Sequence, residues 1–302
     1  MQRKSFLLLT ALALAGAGVV ALALVCWPIG SSSKLTELKG DPQRGAYLAR
    51  MSGCIACHTN NASGGAPLAG TVALSTDFGT FYSPNLTIDK AHGIGTWTLA
   101  DFDRAVRQGV SPDGEPYYPA FPYGFYAKLT DQDVADLWAA FQTVPAVAEP
   151  SKDQDLIFPF SFRPGMKLWR ALFWRREPFR PIEGKSDQWN RGKYIVEGPG
   201  HCGACHTPRN LLGARKAGFA FEGAEGLPGG GKSPPITADR LKQEGWTVDT
   251  LKYALKTGIL PDGDAFGGSM GEVVRDGTRF LSDGDLTAVA TYILDTDKSD
   301  AD

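Results

Sequence analysis

The chain is short of the residues that build metal clusters. Its 302 residues include four histidines, four methionines and five cysteines. It also lacks a charge excess, because 31 Lys and Arg stand against 33 Asp and Glu and leave a net charge of −2. A chain this close to neutral gives no global electrostatic reason to expect a polyanion, so no nucleic acid is expected as a partner. What is plentiful is glycine (36) and proline (20). That composition suits short helices tied by ordered loops better than long sheets. The length is enough for two modest domains, each with its own core.

Arg3 and Lys4 precede an apolar run from Phe6 to Ile29 that contains no charge. A run of that length can span a bilayer. A cleaved signal sequence usually has a shorter apolar core and a small-x-small site. Ala21-Leu22-Ala23 offers such a site, but cleavage there leaves Leu24-Val25-Cys26-Trp27 as an apolar new end. Residues 1–34 are therefore read as an N-terminal transmembrane anchor, with a signal sequence as the alternative. Either reading places the remainder in the periplasm, and the anchor places it at the cytoplasmic (inner) membrane with Arg3 and Lys4 inside. Cys26 is read as an apolar filler, because Val25 is not the small residue expected before a lipid-modified cysteine.

The other four cysteines form two copies of one pattern, Cys54-Ile-Ala-Cys57-His58 and Cys202-Gly-Ala-Cys205-His206. C-x-x-C-H is the attachment signature of c-type haem. Two thiols three positions apart on one helical turn each reach a vinyl group of the same porphyrin, and the next residue presents an imidazole to the iron. A redox dithiol or half of a zinc site is the competing reading. Zinc would need further ligands, and only His92 and His201 remain. Two copies, each ending in His, predict two covalently bound haem c groups, with Cys54, Cys57, Cys202 and Cys205 as attachment points and His58 and His206 as iron ligands.

The chain also repeats itself. Arg44-Gly45-Ala46-Tyr47 answers to Arg191-Gly192-Lys193-Tyr194, and Ser83-Pro84-Asn85-Leu86-Thr87 to Ser233-Pro234-Pro235-Ile236-Thr237. Trp97-Thr98 answers to Trp246-Thr247, and Leu129 to Asp133 answers to Leu281 to Asp285. Thr130 and Ser282 are good N-caps for the helical patterns that follow. Each half reads as helix, haem motif, long loop, short helix, ligand loop and terminal helix. The expected fold is mainly α, with two tandem class I cytochrome c domains after the N-terminal membrane helix. Their expected limits are 36–148 and 186–298, with a connector at 149–185.

In such a domain the sixth iron ligand comes from the loop before the last helix and is usually methionine. Met270, in Gly267-Gly268-Ser269-Met270, lies 24 residues after Trp246 and is the expected ligand of the second haem. His/Met ligation gives a raised potential suited to electron transfer. The same count from Trp97 lands on Phe121, which cannot bind iron. Four accounts remain for the first haem: five-coordinate iron closed by Phe121, ligation by His92, ligation by Met166, or a Tyr117, Tyr118, Tyr123, Lys128 or water ligand. Asn85, Trp97 and Trp246 are candidates for contact with the haem edge or propionates, against an ordinary role in core and turn. The connector places six basic residues between Arg163 and Arg180, opposed only by Glu177, among Phe160, Phe162, Trp169, Phe173, Trp174 and Phe179. Such a segment seals a gap between domains, lies at a lipid headgroup layer or docks a partner subunit.

The haem motifs, "SPNLT", "GIGTW", "DFDRAVRQGVSPDGEPYYPAFPY" and "GPGHCGACHTPRN" resemble the membrane-bound cytochrome c subunits of bacterial alcohol, gluconate and aldehyde dehydrogenases. The resemblance covers nearly all of 36–298. It implies a non-catalytic electron-transfer subunit, with a periplasmic dehydrogenase subunit as donor and quinone, a terminal oxidase or another cytochrome as acceptor. It carries haem ligation to His58, His206 and Met270. The best-known members have a third haem motif and usually a methionine where this chain has Phe121. A dihaem peroxidase-like enzyme with an open iron at His58 is the alternative, although peroxide cleavage needs a distal acid–base group and the ligand loop offers only tyrosines and Glu115.

Overall fold

The computed structural model describes residues 26–296, together with positions 5, 6, 10, 12, 15, 16, 18, 19, 22 and 23. Among the described residues, no helix is long and apolar enough to cross a membrane. This corrects the expected anchor over 1–34, and with it the membrane-helix part of the fold, the membrane-anchored function and the inner-membrane placement. The remaining positions of that run lie outside the described residues. Part of the physical reason is local. Pro28 has no amide to donate and disfavours a helical Trp27, so residues 27–29 are non-helical. Gly30 then turns the chain with φ of 77°, and the Ser31 amide donates to Gln108 Oε1 at 2.8 Å.

The first half contains helices α1 (Pro42–Met51), α2 (Cys54–His58), α3 (Leu99–Gln108), α4 (Tyr123–Tyr126) and α5 (Asp131–Phe141). The second half contains α7 (Asp187–Glu197), α8 (Gly203–His206), α9 (Ala238–Gln243), α10 (Val248–Thr257), α11 (Gly268–Asp276) and α12 (Asp283–Leu294), and helix α6 (Gly165–Phe173) lies in the connector. The sequence sets these boundaries through capping. Asp41 accepts from the Gln43 and Arg44 amides at the start of α1, with Pro42 at the first helical position. Thr98 and Asp101 form a capping box on α3. Thr130 and Ser282 cap α5 and α12 through the Asp133 and Asp285 amides.

Strand is minor. The long loop of the first half carries an antiparallel hairpin, β1 (Ala73–Thr76) and β2 (Gly79–Tyr82), extended by β3 (Asp155–Leu156) from the connector. The corresponding loop of the second half carries the pair β4 (Ala224–Leu227) and β5 (Gly231–Ser233). The segment expected as the second ligand loop is instead helix α11, with Met270 in its first turn.

The repeated Arg-Gly-x-Tyr motif has a packing cause. A Cβ on Gly45 would lie 1.8 Å from the Asp136 carbonyl oxygen, and one on Gly192 would lie 2.0 Å from that of Ala288. Only glycine lets α1 cross α5, and α7 cross α12, at this separation. Around the crossings Leu48, Val134, Leu137 and Phe141 fill the first half of the core, and Trp189, Leu286, Val289 and Tyr292 fill the second.

The tyrosine of the same motif reaches the opposite half. Tyr47 Oη donates to Asp285 Oδ2 at 2.7 Å and accepts from the Ser282 amide at 3.0 Å. Tyr194 Oη donates to Asp133 Oδ2. Each tyrosine thus binds the N-terminus of the other half's terminal helix. A second equivalent pair has diverged, with the Arg50 guanidinium 4.0 Å from the centre of the Phe280 ring and Lys128 Nζ donating to Glu197 Oε2 at 2.9 Å. Lys193 Nζ also donates to Glu197 Oε1 at 2.7 Å, as does Tyr292 Oη.

The connector lies along both halves. Phe160 packs edge-on against Phe78, and Arg163 donates to the Pro116 carbonyl at 2.9 Å. Arg170 lies 4.3 Å from the centre of the Trp174 ring. Trp169 Nε1 donates to the Leu212 carbonyl at 2.8 Å, and Phe179 packs on Tyr194.

Two outcomes are expected. Gly45→Ala or Gly192→Ala overpacks a helix crossing and lowers the unfolding free energy by about 3 kcal/mol in urea titration; an unchanged midpoint would contradict the crossing argument. The second concerns Asp285. Burial disfavours its charge, but hydrogen bonds from Arg191 and Tyr47 outweigh burial and hold its carboxyl below the ordinary range. A folded-state value below the unfolded one (about 3.9) gives stability that is present above the unfolded value and is lost as pH falls through the folded one. The gap in thermal midpoint between the native chain and Asp285→Asn should therefore close progressively below about pH 4. A gap that widens on acidification would overturn this.

Candidate haem-attachment sites

Each C-x-x-C-H motif forms one short helical turn directly after the first helix of its half. His58 is buried, and its Nδ1 lies 2.8 Å from the Pro84 carbonyl oxygen. His206 Nδ1 lies 2.9 Å from the Pro234 carbonyl oxygen. A carbonyl only accepts, so Nδ1 carries the proton in both rings and Nε2 keeps a free lone pair. This is the tautomer of a histidine that binds metal through Nε2 and is oriented by its other nitrogen. Burial lowers His58 to about 4, with the Pro84 contact partly opposing, and burial also lowers His206. Both imidazoles are neutral at pH 7, as ligation requires.

The cysteines are free thiols. Burial raises Cys54 and Cys202 to about 12 each, with the neighbouring cysteine of the motif adding to it. Cys57 is exposed, yet desolvation by the surrounding protein still raises its thiol. The two attachment turns lie close to one another, with His201 Nε2, next to Cys202, 3.3 Å from the Ser52 carbonyl oxygen. Among the described residues, no group of three or more His, Cys, Asp or Glu is arranged to hold a metal ion. Two free thiols and one oriented, neutral imidazole per turn fit covalent haem with a single protein nitrogen on the iron. When bound, such a group supplies one-electron redox chemistry.

The other candidate residues fall into separate places. Met270 is half-buried against the core, in the helix whose Glu272 adds to the upward shift of Cys57. Phe121 sits among Tyr126, Tyr117 and Tyr123, with ring centres 5.6, 6.0 and 6.4 Å away. Tyr126 in turn donates through its Oη to the Ser52 carbonyl at 2.5 Å, which puts Phe121 one ring from the segment that leads into the first attachment turn. His92 is exposed, in a turn closed by its own amide and Asp89 Oδ1 at 2.7 Å. Asn85 is buried, and its polar atoms are occupied elsewhere. Its Nδ2 donates to the Val147 and Glu149 carbonyls at 2.8 and 2.9 Å, and its Oδ1 accepts from the Thr87 amide at 2.8 Å. Trp97 and Trp246 pack partly buried against the core.

Sequence reasoning missed the Pro84 and Pro234 carbonyls. The matching Ser-Pro in both copies was the available signal, but a backbone oxygen leaves no side-chain signature. It also passed over His201, which lies at the junction of the two turns, its Nε2 3.3 Å from the Ser52 carbonyl oxygen.

Comparison with known proteins agrees with this geometry. The cytochrome c family profile matches residues 42–141. A dihaem cytochrome c-type protein of Cereibacter sphaeroides is 42% identical over 271 residues, covering 88% of this chain and 90% of its own. The cytochrome c subunit of alcohol dehydrogenase (quinone) from Gluconacetobacter polyoxogenes is 40% identical over 83% of this chain and 55% of its own. The gluconate 2-dehydrogenase cytochrome c subunit of Pantoea cypripedii is 39% identical over 93% and 65%. The chain belongs to the family of dihaem c-type cytochromes that includes the cytochrome c subunits of membrane-bound dehydrogenases. It spans most of the first of these relatives and roughly half to two thirds of the two dehydrogenase subunits. Its relatives are cytochrome subunits, in keeping with a non-catalytic electron-transfer role between a dehydrogenase and a respiratory-chain component.

Because His92 faces solvent, His92→Ala should leave the visible spectrum of both haems unchanged. Loss of a low-spin band in that variant would make His92 an iron ligand.

Proposed function

We propose that this chain is the electron-carrying subunit of a dehydrogenase complex and holds two covalent haem c groups in two cytochrome domains, 36–148 and 186–298. It receives electrons from a dehydrogenase subunit and passes them to quinone, a terminal oxidase or another cytochrome. Cys54 and Cys57 hold the first haem and Cys202 and Cys205 the second, with His58 and His206 as proximal ligands. Met270 binds the second iron. The observation that carries this reading is the closeness of the two attachment turns: His201 Nε2, next to Cys202, lies 3.3 Å from the Ser52 carbonyl oxygen, two residues before Cys54. Two redox centres side by side suit relay, and no substrate chemistry is required of the chain itself.

At the first haem, the position equivalent to Met270 is Phe121, among tyrosine rings. The iron at His58 therefore has no strong sixth ligand from this loop. This loop also supplies no distal histidine for peroxide cleavage, and its one carboxylate, Glu115, is exposed, so the peroxidase-like alternative is not carried forward.

Carbon monoxide titration of the dithionite-reduced protein, with haem counted as pyridine haemochrome, tests both points. The expected result is two haems per chain, one of which binds carbon monoxide, and loss of that binding in Phe121→Met. One haem per chain would sink the dihaem reading. Two haems that both resist carbon monoxide would mean that a strong ligand has replaced the methionine.

A further inference from the structure

We propose that His201 is a positioning residue that couples the two haem-attachment turns for electron exchange. The inference rests on the dihaem reading above and concerns how the two centres communicate.

His201 immediately precedes Cys202. Its Nε2 lies 3.3 Å from the Ser52 carbonyl oxygen, in the opposite half of the chain. A carbonyl only accepts, so Nε2–H is the donor. From Ser52 the chain runs through Gly53 to Cys54. One hydrogen bond therefore closes a route of covalent bonds between an attachment cysteine of one haem and an attachment cysteine of the other.

The surroundings hold the imidazole in place. The His201 amide donates to the Gly198 carbonyl at 3.0 Å, and the His201 carbonyl accepts from the Ala204 amide at 2.8 Å. The residue adopts φ of 38°, a left-handed backbone uncommon outside glycine and suggestive of a functional constraint. The ring packs edge-on against Tyr126 and Phe125, at 5.8 and 6.2 Å between centres. Tyr126 Oη donates to the same Ser52 carbonyl at 2.5 Å, so that oxygen is fixed from both halves. The approach also needs Gly53, where φ is 68° and a Cβ would lie 3.3 Å from His201 Nε2. A side chain whose backbone, ring and hydrogen bond are all constrained is suited to hold two centres at one separation.

The step served is the passage of one electron from one haem to the other. One centre is oxidised and the other reduced, no covalent bond is made or broken, and the His201 proton stays on nitrogen.

The test compares the native full-length holoprotein with His201→Leu and His201→Gln. Both replacements meet the same backbone conformation, and only glutamine keeps an N–H donor at comparable reach. The readouts are the haem count, both midpoint potentials by spectroelectrochemistry, and the rate of electron equilibration between the haems after pulsed one-electron reduction. Leucine should slow equilibration several-fold with two haems retained and both potentials unchanged, and glutamine should restore the rate. Equal rates in all three proteins would overturn the proposal. Equal slowing by leucine and glutamine would also overturn it, by reducing His201 to packing. If His201→Leu fails to mature, His201→Asn replaces it, since asparagine tolerates a left-handed backbone but is too short to reach Ser52. Fewer than two haems in the native protein would instead defeat the dihaem reading.

Discussion

Two phenol–carboxylate hydrogen bonds, Tyr47 to Asp285 and Tyr194 to Asp133, fix the relation between the halves, and the site geometry follows from them. Each joins the first helix of one half to the N-terminus of the last helix of the other. Tyr47 also accepts the amide of Ser282, the residue that caps its partner helix, so a donor at that helix end is satisfied across the interface. Hydrogen bonds to charged groups are worth about 1.5–3 kcal/mol each. Two of them, reciprocal and partly buried, specify one arrangement of the halves more effectively than apolar contact alone.

That arrangement brings the attachment turns together. Helix α1 ends at Met51, and the next three residues provide the Ser52 carbonyl, the Gly53 turn and Cys54. Helix α7 leads through Gly198 to His201 and Cys202. Holding the two helices against opposite terminal helices leaves their C-terminal ends, and hence both haem turns, on the shared face. The interface is also biased against exchange of its halves. Arg50 on Phe280 and Glu197 with Lys128 occupy equivalent positions, but swapping one half for the other would pair the wrong partners.

Much of this was legible in the sequence. The two C-x-x-C-H motifs, the caps at Thr130 and Ser282, and the in-step repeat from Trp97 and Trp246 are local patterns, and local patterns survive in a linear reading. What the sequence hid is non-local. The repeated tyrosine was visible, but its partner lies 238 residues away for Tyr47, and nothing in the motif says that the partner belongs to the other half. The sequence around Asn85 likewise gives no sign that its amide binds carbonyls 62 and 64 positions on. Gly267 and Gly268 suggested a loop around Met270, yet α11 begins at Gly268. The apolar run before Ile29 suggested a continuous helix, while Pro28 makes its last residues non-helical.

The central claim is that the tyrosine–aspartate pairs hold two haems in a fixed mutual orientation. Soret circular dichroism of the oxidised holoprotein tests it most directly, because adjacent haems produce a bisignate exciton couplet whose size depends on their geometry. The expected result is a couplet in the native protein that collapses when Tyr47 and Tyr194 are both replaced by phenylalanine, with two haems still present per chain. A native spectrum without a couplet, or a couplet unaffected by the double replacement, would contradict the account.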